Sequence, residues 1–200
     1  MTLIAITALI LGIICGAWGA DNSLILKISE HKDLILYILM FSVGISIGMH
    51  RGFFKKIRQY HIKIFLIPLG TILGSLLGGV LCSLMTGCPL SSAAAAASGL
   101  GWYSLAGITL ESLSGAQMGS IAFLSNLMRE IFSFFSIPFL SKKLNGYACI
   151  AAAGATSEDT TLPMMIKYTD EETVVFSVIN GVICSAFVPV LISLCYALFT

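Results

Sequence analysis

Charge is what this sequence has least of. Only 10% of its 200 residues are Asp, Glu, Lys or Arg, against 57% hydrophobic. Soluble domains carry about 25% charged residues, so a water-facing surface cannot be assembled from this supply. An all-α polytopic membrane protein, a single membrane domain surrounded by the lipid bilayer, is the reading that fits. The net charge of +1 leaves no basic excess for a nucleic-acid partner. The six cysteines (Cys15, Cys82, Cys88, Cys149, Cys184, Cys195) include no CxxC and no Cys/His ligand spacing. That excludes a recognisable metal motif or disulfide framework, and they read as small hydrophobes. No P-loop, nucleophile elbow or metal-binding helix motif is present, so the sequence points to no enzyme and no cofactor. A basic n-region is missing as well, and Trp18 occupies the would-be cleavage site, so the first apolar stretch reads as an uncleaved span.

What is there is a series of apolar runs. A spanning helix needs about 20 mostly apolar residues. Residues 3–20, 34–49, 62–85, 118–140 and 174–199 meet or approach that length. Two further stretches, 91–110 and 146–166, are long enough but broken by glycine and polar residues. Breaks of this kind survive at membrane depth only where protein or a water-filled cavity satisfies the freed backbone.

Arg51, Lys55, Lys56, Arg58 and Lys63 crowd one loop without an acid, which places that loop, and with it the N-terminus, in the cytoplasm. Lys142 and Lys143 ask for the same side. They reach it if 91–110 dips in and returns, and fail to if that stretch crosses fully. Re-entrant hairpins entering from opposite faces are therefore the expectation, with full crossing as the alternative. A shift of 55 residues lays 62–107 onto 117–162, bringing the alanine runs together and Gly99 onto Gly154. Each unit is one full span followed by one broken helix, and the two run in opposite orientation. Inverted repeats with broken helices meeting near the midplane are the recurring plan of secondary transporters.

The first break reads ASGLGWYSLAGI. Gly99 and Gly101 allow close backbone approach there. Trp102 and Tyr103 suit either cavity lining or interfacial anchoring, and Ser104 adds a hydroxyl. The second reads AAAGATSEDTTLP. Gly154 lets the chain turn, Thr156 and Ser157 offer hydroxyls, and Glu158 and Asp159 bring paired acids. Those acids read as cavity groups or as solvated loop residues. Asp159 is also placed to cap a helix restarted by Pro163. Glu130 lies mid-span in NLMREIFSFF, where an acid costs about 2.5–3.5 kcal/mol by insertion scales, so a functional role is expected. Acids facing a cavity favour a cationic ligand.

SGLGWYSLAGI, NLMREI, AAGATSEDTTLP and the closing NGVICSAFVPVLIS together resemble the LysO-type lysine exporter family of bacterial inner membranes. The resemblance implies a carrier exporting L-lysine and analogues such as thialysine from the cytoplasm by alternating access, with proton antiport open to a buried acid. Gly99, Gly101, Trp102, Tyr103 and Ser104 match its first motif. Arg129 and Glu130 match its Arg-Glu pair, and Gly154, Thr156, Ser157 and Asp159 its second motif. Where members carry an acid before this pair, this chain has Asn126. The match covers the later two thirds of the family pattern. A separate small membrane subunit, or a homodimer, is accordingly expected to supply the earlier spans. Alternatives are export of another small polar solute, or an accessory membrane subunit without transport of its own.

Overall fold

The alanine run of the first break, LSSAAAAA, has the highest helix propensity available, and it forms a helix that stops as soon as glycine arrives. In this computed structural model residues 63–199 are described, together with Thr7, residues 10–15, Leu34, Ile38, Phe41 and Ile45, all of these last helical. The first two expected spans otherwise lie outside the described residues, as does the basic loop from Arg51 to Arg58. The chain divides into two units, Met1–Met49 and His50–Thr200, and the second holds both broken segments.

The helices of that second unit are α1 (Lys63–Thr86), α2 (Leu90–Ala97), α3 (Tyr103–Ser114), α4 (Ala116–Lys143), α5 (Gly146–Ala153), a 3-10 turn (Gly154–Glu158), α6 (Leu162–Tyr168) and α7 (Glu171–Phe199). No strand occurs among the described residues. At 1.5 Å per residue the three long helices α1, α4 and α7 run about 36, 42 and 44 Å. Phe65–Thr86 of α1 and all of α7 are long and apolar enough to cross a membrane. Arg129, Glu130 and Asn126 make α4 more polar.

The short helices pair into two hairpins. α2 ends as Ser98 folds its hydroxyl onto the Ala95 carbonyl at 2.7 Å. Leu100 (φ 53°) and Gly101 (φ 101°) then take left-handed backbone, and α3 turns back. Ser92 near the start of α2 and Ser114 at the end of α3 stand 3.2 Å apart through their hydroxyls, so the chain returns to the level it left. The second hairpin is built alike. Asn145 caps α5 by accepting from the Ala148 N–H at 2.9 Å. Gly154 turns the chain at φ 65°, and Pro163 sits in the first turn of α6. Gly146 at the base of α5 packs directly on Thr173 at the start of α7. One hairpin has its base beside the start of α4 and the other beside its end, about 42 Å away.

The distribution of polarity is inverted relative to a soluble protein. Leu69, Leu73, Leu77 and Leu81 form an exposed stripe on α1, Phe132, Phe135 and Phe139 one on α4, and Val190, Leu194 and Leu198 one on α7. Asn126, Glu130, Ser133, Ser157, Ser177 and Asn180 are buried. Contiguous apolar surface of this kind suits lipid, and with the apolar helices it marks a membrane protein. Small residues let the elements close: a side chain on Gly119 of α4 would come within 2.8 Å of the Gly107 carbonyl of α3.

A Cβ on Gly154 would strike the Leu100 carbonyl, and its φ disfavours any L side chain. Left-handed strain costs about 1–3 kcal/mol, and about 1 kcal/mol moves the melting temperature by about 2–4 °C at this size. Gly154→Ala is expected to lower the melting temperature in detergent by at least about 2 °C, followed by circular dichroism. Gly74→Ala, whose Cβ meets nothing within 4 Å among the described residues, should not lower it.

Candidate functional site

The two hairpin tips touch. The Ala155 N–H donates to the Leu100 carbonyl at 2.9 Å, joining residues 55 positions apart in sequence. A Cβ on Gly101 would lie 3.4 Å from Thr156 Cγ2 and 3.5 Å from the Ala153 carbonyl, so the two crossing segments run in contact. Each tip is held from a long helix by one amide. Asn126 of α4 accepts from the Gly101 N–H at 2.8 Å and donates to the Ala96 carbonyl at 2.8 Å. Asn180 of α7 donates to the Gly154 carbonyl at 2.9 Å and to Ser157 Oγ at 3.0 Å. Ser157 and Ser177 exchange hydroxyl-to-carbonyl bonds at 2.8 and 2.6 Å. An amide side chain, with donors and an acceptor on one group, is suited to satisfying the mixed orphan groups of a broken helix.

Beside the crossing lies Glu130. It is 1% exposed, and neither carboxylate oxygen has a hydrogen-bond partner among the described residues. Asp159 and Tyr103 stand within electrostatic reach, and the Thr160 side chain is its polar neighbour. Arg129, next to it in sequence, points elsewhere. Its Nη1 donates to Ser75 Oγ of α1 at 2.7 Å and its Nη2 to the Ala151 carbonyl of α5 at 3.2 Å. Adjacent residues on a helix diverge by about 100°, and here that separates an acid from a base.

The acid pair of the second break also separates. Glu158 is half-buried against Gly181 of α7, and its Oε1 accepts from Ser185 Oγ at 2.9 Å. Asp159 is more exposed, and its Oδ1 accepts from the N–H and hydroxyl of its neighbour Thr160. The expectation that Asp159 caps α6 is corrected by this geometry. The capping position is Thr161, and no side chain makes the cap.

The remaining expected residues fall around the tips. Trp102 precedes α3 and is half-buried, Ser104 is half-buried in its first turn, and Tyr103 meets the Phe123 ring edge-on at 5.2 Å. The Gly99 position is pressed against Asn126. Thr156 donates its hydroxyl to the Ala153 carbonyl at 2.9 Å, so the hydroxyls of both Thr156 and Ser157 are committed to backbone. A cavity of about 460 Å³ opens between α1, α2 and α4, lined by Ser75, Asn126 and Arg129 among others; Glu130 and Asp159 are not in its wall. Asn180 and Ser185 lie in the closing NGVICSAFVPVLIS stretch, and Ser177 just before it, but none of the three stands out there as a site residue. A further signal is that Asn180 follows Asn126 by 54 positions, close to the repeat offset.

The model of a family described as Lysine exporter LysO matches residues 6–196. The Lysine exporter LysO of Escherichia coli strain K12 is 33% identical over 165 residues, which are 82% of this chain and 54% of that protein. A candidate lysine exporter of Haemophilus influenzae is 31% identical over 188 residues, 94% of this chain and 92% of that protein. The chain thus spans about half the length of the first relative and nearly all of the second. No solved structure matches.

Removing the Asn126 amide leaves the buried Gly101 N–H without its acceptor, and removing the Asn180 amide strips a donor from the Gly154 carbonyl and from Ser157 Oγ, at about 1–3 kcal/mol each. Asn126→Ala and Asn180→Ala should each lower the unfolding free energy by about that amount. Because the tips share the Leu100–Ala155 bond, the double variant should lose less than the sum, by about 0.5 kcal/mol or more. Strict additivity in denaturant titrations would mean the tips are independent.

Proposed function

This chain belongs to the LysO lysine exporter family, and on that premise we propose that it moves L-lysine and close analogues such as thialysine out of the cytoplasm. Transport is by alternating access, in a multi-pass fold of the bacterial inner membrane with its N-terminus on the cytoplasmic side. The α2–α3 and α5–α6 hairpins enter from opposite faces and return, so that their tips meet near the midplane. The Ser92–Ser114 and Gly146–Thr173 contacts at the hairpin bases support return rather than crossing. The position of those bases at opposite ends of α4 supports entry from two sides. In the same reading a separate small membrane subunit, or a second copy of the chain, works beside it.

The observation that carries the reading is Glu130, a buried carboxylate with no hydrogen-bond partner among the described residues, next to the crossing of two broken helices. A buried polar group is ordinarily satisfied, and an unpaired acid in a membrane is expensive. A cationic ammonium group arriving there would supply the missing donors. Proton antiport follows from the same chemistry: Glu130 is protonated while empty, gives up the proton as lysine binds, and regains one after release. Asp159 and Tyr103 flank the exchange, Trp102, Ser104 and Glu158 border the path, and the glycines and hydroxyls of the tips hold its shape.

Efflux of labelled lysine from cells lacking other lysine exporters tests this. Glu130→Gln keeps the volume and removes the charge. It should cut efflux at least about tenfold, the loss of about 1.4 kcal/mol or more in binding, and restore sensitivity to thialysine, with membrane levels unchanged. Export at the wild-type rate by Glu130→Gln would remove the residue from the mechanism.

A further inference from the structure

Arg129 is the basic group that the ammonium-binding reading leaves unexplained. It is half-buried in the wall of the 460 Å³ cavity between α1, α2 and α4. Its two hydrogen bonds go to neutral acceptors, the Ser75 hydroxyl and the Ala151 carbonyl, and no ion pair with a carboxylate forms among the described residues. Those bonds occupy two of the five N–H donors of a guanidinium. They anchor the group on α1 and on the last turn of α5, where a helix presents its negative end. A cation kept this deep without a carboxylate is costly unless it has a use. The acid that could neutralise it most simply, Glu130, sits on another side of the same helix with Asp159 and Tyr103.

We propose that this cavity is an anion subsite in which Arg129 binds the α-carboxylate of the transported amino acid. A guanidinium already fixed at two corners offers its remaining N–H groups to a carboxylate with little further ordering, and carboxylate is the planar, two-oxygen partner that arginine geometry matches. Ser125 and Asn126 border the same space. Gly79, Ala93 and Ala97 keep the opposite wall thin, since even a methyl on Gly79 would fall 2.9 Å from Ala97 Cβ. Charge is thereby divided along α4: the base at 129 faces a carboxylate subsite and the acid at 130 faces an ammonium subsite. The carrier then selects amino acids over diamines by requiring both. The subsite rests on the amino-acid export reading for its ligand but on different residues.

The test measures binding of L-lysine, L-lysinamide and cadaverine to the purified full chain by calorimetry, with L-alanine and L-glutamate as further probes. The wild type should bind lysine at least about tenfold more tightly than lysinamide or cadaverine, as expected when a buried charge loses its partner. Arg129→Gln should bind all three alike. Arg129→Lys, which keeps the charge without the fork, should show an intermediate ratio. In the wild type, lysine but not lysinamide should also protect Arg129 from phenylglyoxal, read by peptide mass spectrometry, a readout that needs no variant to fold. Undiminished preference for lysine over lysinamide in folded Arg129→Gln, or no protection of Arg129, overturns the subsite while leaving lysine export standing. Arg129-dependent binding of another amino acid but not lysine would uphold the subsite and overturn lysine as the cargo. Binding of no amino acid at all overturns both.

Discussion

A single backbone hydrogen bond, Ala155 N–H to Leu100 C=O at 2.9 Å, joins the two interrupted segments. In a bilayer no water is at hand for an orphan amide or carbonyl, and each unsatisfied group costs several kcal/mol. A chain that breaks two helices must therefore find partners for the groups it frees. Here each break serves the other, and the rest of the demand falls on Asn126, Asn180, Ser157 and Ser177. The glycines, the positive φ values and the small-residue packing of the long helices all stem from the need to bring those tips within bonding distance.

The long helices do two jobs at once. Their outer faces are leucine and phenylalanine, as lipid requires, while their inner faces carry the polar groups that the tips lack. α4 concentrates this most heavily. Asn126, Arg129 and Glu130 lie within little more than one turn of it and reach three different environments: the first tip, the cavity toward α1, and the acid cluster with Asp159 and Tyr103.

Much of this was legible in the residues. Alanine runs ending in Gly-rich polar segments read as interrupted helices, and a 55-residue offset lays Gly99 on Gly154 in the sequence itself. Glu130 stood out because mid-span acids are rare. What escaped the sequence escaped for physical reasons. Asn180 lies in a long apolar helix where one amide makes no pattern, and only the geometry of the second tip shows what it holds. The Thr156 and Ser157 hydroxyls donate to backbone carbonyls at the end of α5 and in α7, partners that the spacing of the motif does not reveal. Glu158 and Asp159 are neighbours in sequence, but the irregular backbone between the 3-10 turn and α6 sends one toward α7 and the other toward Glu130. Spacing cannot encode that divergence when no regular helix carries it.

The meeting of the tips is open to direct measurement. In a background with the six native cysteines replaced, Leu100→Cys and Ala155→Cys would place two thiols on residues whose backbones are already hydrogen-bonded. That is within the reach of a disulfide, whose Cα atoms lie about 4.4–6.8 Å apart. Mild oxidation in intact membranes should link them within one chain, seen by mass spectrometry as a single cross-linked peptide pair, while a control pair at Leu100 and Lys142 should stay free. Failure of the first pair to link, with both thiols reactive toward a small maleimide, would contradict the crossing on which the site depends.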